Sequence, residues 1–285
     1  MIETERLIYA ASPRGAEETG PTRSASTPWR APMNDGIRIA MWSGPRNIST
    51  ALLRSWGSRG DTAVCDEPLY AHYLHVTGLR HPGREEVLAS QPTDWREVVA
   101  GLVGRIPGGR PIYYQKQMAH HLLPDIGRAW LDRLRHGFLI REPREMLASL
   151  LAVTPGAEVA DTGLVQQWEL FRRVRDRDGR VPPVVDSRDV LEDPRGTLTA
   201  LCAALDVPFD PAMLSWKPGP RATDGVWAPH WYASVERSTG FRPYRPKSVE
   251  VPPERHALLA VCEDLYRRLH RHRLRPGGSD AADLR

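Results

Sequence analysis

Short apolar runs alternate along this chain with longer stretches of helical spacing. Five runs read as strands: Ile37–Trp42, Thr62–Cys65, Ile112–Tyr114, Gly137–Ile140 and Pro183–Val185. Between and after them, apolar residues recur at three- and four-residue intervals over Asn47–Ser58, Trp95–Val103, Leu122–Arg135, Pro143–Ala152, Leu164–Arg177, Pro194–Leu205 and Pro253–His270. Strands alternating with helices predict an α/β fold: a three-layer α/β/α architecture around a central parallel sheet of about five strands.

In such sheets ligands sit beyond the carboxyl ends of the strands, so chemistry is expected there. The residues at those ends are Ser43-Gly44-Pro45-Arg46, Asp66-Glu67-Pro68, Gln115-Lys116-Gln117 with His120 and His121 behind, Arg141-Glu142-Pro143-Arg144 and Asp186-Ser187-Arg188-Asp189. The first is the sharpest. A strand breaks at Gly44-Pro45 and a helical pattern starts at Ile48. That geometry aims free backbone N–H groups and a positive dipole end at an anion. Arg46, Asn47, Ser49 and Thr50 add side-chain donors. The loop is P-loop-like, but it lacks the second glycine and has Arg46 where a nucleotide triphosphatase has lysine. Ser49 or Thr50 can still ligate magnesium, although no acidic metal partner follows a suitable strand. Sequential strands are usually neighbours, so Glu67 and this loop are expected to open onto one cleft.

Composition narrows the partners. A net charge of +4 fits an anionic small ligand, and the basic residues are scattered rather than gathered into a nucleic-acid-binding patch. No apolar run approaches the roughly 20 residues that span a membrane. Cys65, Cys202 and Cys262 show no paired spacing, which suits a reducing, cytoplasmic setting. Residues 1–36 read as a disordered extension, with Met33 as an alternative start, and residues 272–285 as a flexible tail around a domain at 37–271. Residues 216–250, dense in Trp, Pro, Arg and Gly, read as a long irregular segment of the kind that carries function.

Three separated elements together resemble the sulfotransferase family. Ser43-Gly-Pro-Arg-Asn-Ile-Ser-Thr50 looks like its 5′-phosphosulfate loop in an arginine-containing form. Leu139-Ile-Arg-Glu-Pro-Arg-Glu-Met-Leu-Ala-Ser149 looks like its 3′-phosphate motif. Arg221-Ala-Thr-Asp-Gly-Val-Trp-Ala-Pro-His230 is similar to the loop that closes over the nucleotide, with Ala222 and Ala228 where glycine and lysine are common. The resemblance covers roughly residues 37 to 245 and implies 3′-phosphoadenylyl sulfate as co-substrate. It implies donor contacts from Gly44, Pro45, Arg46, Asn47, Ile48, Ser49, Thr50, Arg141, Ser149, Arg221, Gly225 and Trp227.

Sulfuryl transfer asks for in-line oxygens and fixed donors for the charge that develops on the leaving phosphate. Arg46 is placed for this, and Lys116 is a candidate for polarising the bridging oxygen. With these cations no metal is expected. Glu67 is the first candidate for the base that takes the acceptor's proton, a position where some carbohydrate-type relatives carry a carboxylate. His72, His75, His120, His121 and His230 are its rivals, and Tyr70, His72, His120, His121 and His230 are expected around a small-molecule acceptor. Two other readings use the same strand–loop–helix unit: a nucleotide-dependent small-molecule kinase, and a non-catalytic nucleotide-binding protein.

Overall fold

The computed structural model describes residues 36–246 and 248–275. The expected N-terminal extension, with Met33, lies outside the described residues except for Gly36. A five-stranded parallel sheet, β1 (Ile37–Ser43), β2 (Thr62–Asp66), β3 (Ile112–Met118), β4 (Arg135–Ile140) and β5 (Val184–Asp186), runs in the order β2-β3-β1-β4-β5. The helices are α1 (Ser49–Gly57), α2 (Tyr70–Thr77), α3 (Arg84–Ser90), α4 (Trp95–Val103), α5 (Pro143–Leu151), α6 (Val159–Thr162), α7 (Leu164–Asp178), α8 (Ser187–Glu192), α9 (Pro194–Ala204), α10 (Ala228–Trp231), α11 (Ala233–Glu236) and α12 (His256–His270).

The alternation of side chains along β1 builds both layers of core. Ile39 and Met41 pack with Leu52, Leu53 and Trp56 of α1 and Leu198 and Leu201 of α9 on one face. Ala40 and Trp42 pack with Leu147, Leu170, Phe171 and Leu265 on the other, under α5, α7 and α12. Chain direction across the sheet changes at β1: β2 and β3 lie to one side of it, β4 and β5 to the other. A crevice is expected at the carboxyl end of such a strand. β2 is not β1's neighbour, because β3 intervenes, so the cleft shared by Glu67 and the anion loop spans three strands rather than two.

Three departures have physical causes. The helix expected over Leu122–Arg135 is interrupted by Pro124 and Gly127, leaving one 3₁₀ turn at Ala129–Arg133, and Arg135 already pairs with Ile39 as the first residue of β4. β3 runs on through Gln115, Lys116 and Gln117, which therefore belong to the strand and are buried rather than following it. The chain from 272 to 274 is not a tail: the Leu274 N–H donates to the Val184 carbonyl at 2.8 Å and Arg273 pairs with Asp189 at 3.0 Å.

Candidate active site

At the carboxyl edge of the sheet a cleft of about 1340 Å³ opens. That exceeds the 300–1,000 Å³ of an ordinary ligand pocket and leaves room for two reactants together. Its middle is the loop after β1. Arg46 holds a left-handed backbone, φ 60°, which costs a non-glycine residue of order 1 kcal/mol or more. Arg141 holds it there, donating to the Arg46 carbonyl at 2.6 Å, and Asn47 donates to the Leu139 carbonyl at 3.2 Å. α1 then begins with no side-chain cap and no acidic residue in its first turn. Its first N–H groups thus face the cleft beside Pro45 to Thr50 without an internal anion. Gly44 does not line the cleft. It faces inward, where a Cβ would sit 2.2 Å from the Thr162 carbonyl oxygen.

The half of the cleft over β4 and β5 holds the arginines, interleaved with Glu142, Glu145, Asp186, Asp189 and Glu192. Arg46 Nε donates to Ser149 Oγ at 2.9 Å, which unites the two expected donor-binding motifs. Burial and the neighbouring Arg141 lower the Arg46 pKa, and arginine starts from so high a value that it is effectively always a cation in proteins. Arg141 is braced by Glu145 at 2.8 Å, and Glu145 accepts from Tyr244 at 2.7 Å. Arg188 sits 4.9 Å over the Tyr244 ring. Arg242 and Arg245, on the extended segment around Tyr244, complete the lining, and both are exposed. Sequence reasoning passed over these two. Their signal was Gly240-Phe-Arg-Pro-Tyr-Arg245, two arginines following a glycine inside the segment expected to be functional.

The half over β2 and β3 is built around one buried ammonium. Register places Asp66 opposite Lys116, so their side chains meet. Lys116 Nζ donates to Asp66 Oδ1 at 2.8 Å, to Glu67 Oε1 at 2.5 Å and to the Tyr232 hydroxyl at 2.8 Å. An ammonium has three N–H donors, and all three are used. Lys116 is therefore not aimed at a bridging oxygen, as expected from the sequence, but anchors Glu67. Burial alone would lower its pKa, yet Asp66 and Glu67 outweigh that and hold it well above the ordinary lysine value. Tyr232 passes the order outward, donating to Asp66 Oδ2 at 2.7 Å and accepting from Trp227 Nε1 at 3.1 Å.

Glu67 itself has φ 42°. Three hydrogen bonds pin that left-handed turn: its N–H to the Lys116 carbonyl, and its carbonyl from Tyr70 N–H and Gln91 Nε2. One carboxylate oxygen is committed to Lys116 and the side chain lines the cleft. Burial, with Asp66 adding like charge, raises its pKa despite the opposing Lys116. A carboxylate made more basic and aimed into a cleft is suited to take a proton.

Tyr70, His120 and His121 line this half as expected, joined by Tyr73, His81 and Asp161. His72 does not. Its Nδ1 donates to the Thr93 carbonyl at 2.8 Å and its Nε2 lies 3.3 Å from Asp125. His230 is exposed beside Gly83 and is likewise outside the lining. The 221–230 loop lies behind the cleft rather than over it. Gly225 N–H donates to Asp66, buried Trp227 braces Tyr232, and Arg221 is spent on the carbonyls of Lys217 and Gly219. Asp224 of this loop pairs with buried Arg54 of α1 through two bonds, one of 2.7 Å. Arg221, Gly225 and Trp227 thus line no part of the cleft, which the chain reaches only beyond them, at Trp231, Tyr232, Ser234 and Val235.

A family model described as a sulfotransferase domain matches residues 37–272. Two curated relatives from Arabidopsis thaliana align over 234 residues, 82% of this chain: branched-chain-amino-acid aminotransferase-like protein 1 at 36% identity and protein 2 at 33%. The alignments cover 42% and 41% of those proteins, so this chain spans about two-fifths of the length of the curated relatives it matches. Among solved structures, a sulfotransferase domain from the curacin biosynthetic pathway aligns over 82% of this chain and 98% of its own, at 14% identity and a TM-score of 0.46. With its family model matched from β1 to the end of α12, the chain belongs to the sulfotransferase family.

Proposed function

We propose that this protein moves a sulfuryl group from 3′-phosphoadenylyl sulfate to a hydroxyl or amine of a small organic acceptor. The observation that supports it best is the division of the cleft. Among the described residues, six arginines, set among carboxylates that pair with several of them, and a bare helix N-terminus occupy the middle and one half, while the other half holds a basic-shifted carboxylate whose cation is fully engaged. The donor set fits a nucleotide with two separate anionic groups. The N-terminus of α1 and Arg46 suit the phosphosulfate, and Arg141, Ser149, Arg242 and Arg245 suit a phosphate on the ribose. In the reaction the acceptor oxygen or nitrogen bonds to sulfur while the bond from sulfur to the bridging oxygen breaks. Adenosine 3′,5′-bisphosphate leaves and Glu67 takes the acceptor's proton. Arg46 meets the charge that grows on the leaving phosphate.

A cytoplasmic setting fits the three unpaired cysteines, and the partner is a small molecule rather than a nucleic acid or a membrane. Among the described residues no helix is long and apolar enough to cross a membrane. The test is a thermal-shift and calorimetric panel of adenosine 3′,5′-bisphosphate, ADP, and ATP with magnesium. The reading expects the bisphosphate to bind tightest without added metal. Preference for ATP with magnesium would favour a kinase instead. In the same assay Arg46→Ala is expected to weaken bisphosphate binding by about 10- to 150-fold, the loss of a charge-assisted hydrogen bond worth about 1.5–3 kcal/mol. Parental affinity in the folded variant would overturn the loop assignment.

A further inference from the structure

His120 and His121 stand out among the buried polar groups. Both side in on the cleft beside Glu67, at 9% and 2% exposure, and Nδ1 of each is buried without a hydrogen-bond partner. A buried polar atom without a partner is costly unless something supplies one. His121 is held between Tyr70 and Tyr73, stacked at ring-centroid distances of 4.7 and 4.6 Å, and His120 meets the edge of Tyr73 at 5.3 Å. The rings are locked in place, so their nitrogens present a fixed pattern.

Charge around the pair is one-sided. Among the described residues lining this half, Lys116 is the one basic side chain that is not an imidazole, and Asp66, Glu67 and Tyr232 take all its donors. Glu67 and Asp161 supply negative charge, while the cleft arginines come from the anion loop, the ends of β4 and β5, the 242–245 segment and Arg273 beside β5. Burial pushes His120 down to about 3 and His121 well below its ordinary value, so both imidazoles are neutral at pH 7. A neutral imidazole offers one donor and one acceptor. That pattern complements a hydroxyl, which also has both, better than a carboxylate, which only accepts, or an ammonium, which only donates.

Resting on the proposed sulfuryl transfer, we infer that the acceptor is an uncharged diol or polyol. Its reacting hydroxyl faces Glu67 and a neighbouring hydroxyl is read by His120 and His121. Acceptors with a carboxylate or phosphate near the reacting hydroxyl are excluded from this half of the cleft. An anionic group there would meet Glu67 and Asp161 with no unspent cation among the described residues lining this half.

The experiment uses the full chain saturated with adenosine 3′,5′-bisphosphate, probed by saturation-transfer NMR, and the ³⁵S-labelled donor for turnover. The probes are methyl glucoside, myo-inositol and 1,2-cyclohexanediol, set against cyclohexanol, glucose 6-phosphate, glucuronate and glucosamine. Uncharged diols and polyols are expected to bind and accept sulfate. The phosphorylated and carboxylated analogues are expected at least 10-fold weaker, and cyclohexanol about 3- to 10-fold weaker for want of the second hydroxyl. His120→Phe and His121→Phe keep the ring packing and are expected to erase the preference for the diol over cyclohexanol without altering bisphosphate affinity. Preference for an anionic probe, no binding of any uncharged diol or polyol, or an unchanged diol preference in both variants would each overturn the inference. All three leave the proposed transfer standing as long as the bisphosphate still binds. Loss of bisphosphate binding by the parent chain would instead strike the proposed function itself.

Discussion

Glu67→Gln is expected to reduce sulfuryl transfer by about 10²–10⁴-fold, the usual contribution of a positioned general base, while affinity for adenosine 3′,5′-bisphosphate stays within about twofold. Glutamine keeps the size of the side chain and an oxygen for Lys116, so the turn at φ 42° and the buried ammonium both survive. It cannot take a proton at neutral pH. The pH profile gives a second reading. Burial and Asp66 raise the Glu67 pKa above its ordinary 4.5, so parental activity rises with pH on a limb displaced above the ordinary carboxylate range. Glu67→Gln loses that limb. His120, pushed down to about 3, and His121, held well below its ordinary value by burial, cannot produce it. A variant that turns over at the parental rate would transfer the role of base to one of them. A variant that loses nucleotide affinity would make Glu67 a brace of the cleft rather than its base.

The parts of this molecule that were legible in the sequence are those where one local signal decides the outcome. Trp95–Val103 is a helix with Asp94 capping the Arg96 N–H, and its bounds follow from that cap and from Gly104. Pro143 opens α5 because a helix's first turn needs no proline N–H. α2 was not legible. Tyr70, Ala71, His72, Tyr73 and Leu74 are buried in succession, so no polar face exists to show the helical period. α3 failed in the opposite way, with Val87 as its one buried residue among those described. At the site, Arg46 and Arg141 were singled out because a strand end and a helix start lie next to each other in sequence, and Ser149 through the resemblance of its motif. The triad of Lys116, Asp66 and Tyr232 rests on strand register and on a contact spanning 166 residues, from Tyr232 to Asp66. Neither is written in any local window. The same long-range closure put Trp227 behind Tyr232 rather than on the cleft lining.

Lys116→Met is expected to be among the most destabilising single changes in the chain, by about 3–5 kcal/mol, the range for removing one partner of a buried ion pair. Methionine fills much of the lysine's volume, so a cavity is not the main cause. The cause is that Asp66, 2% exposed at its side chain, and Glu67, at 12%, would face each other without the ammonium that lies 2.8 and 2.5 Å away. Urea unfolding measures the loss, and the companion variants identify its origin. Tyr232→Phe removes one hydroxyl from Lys116 and Asp66 and should cost about 1–3 kcal/mol. Adding Asp66→Asn to Lys116→Met removes half of the exposed charge problem, so the double variant should be more stable than the sum of its parts. pH dependence supplies the sign. The raised Lys116 pKa means that its stabilisation is complete below the ordinary value of 10.5 and is lost as pH climbs past it. Glu67, also raised, contributes most below its ordinary 4.5 and loses that contribution as pH rises through its native value. Lys116→Met should reduce the alkaline loss, leaving the share from the buried tyrosines and cysteines, whose values are also raised. A cost under about 1 kcal/mol, the worth of a solvated surface pair, would show that water reaches the triad and that Lys116 does not hold Glu67 in place.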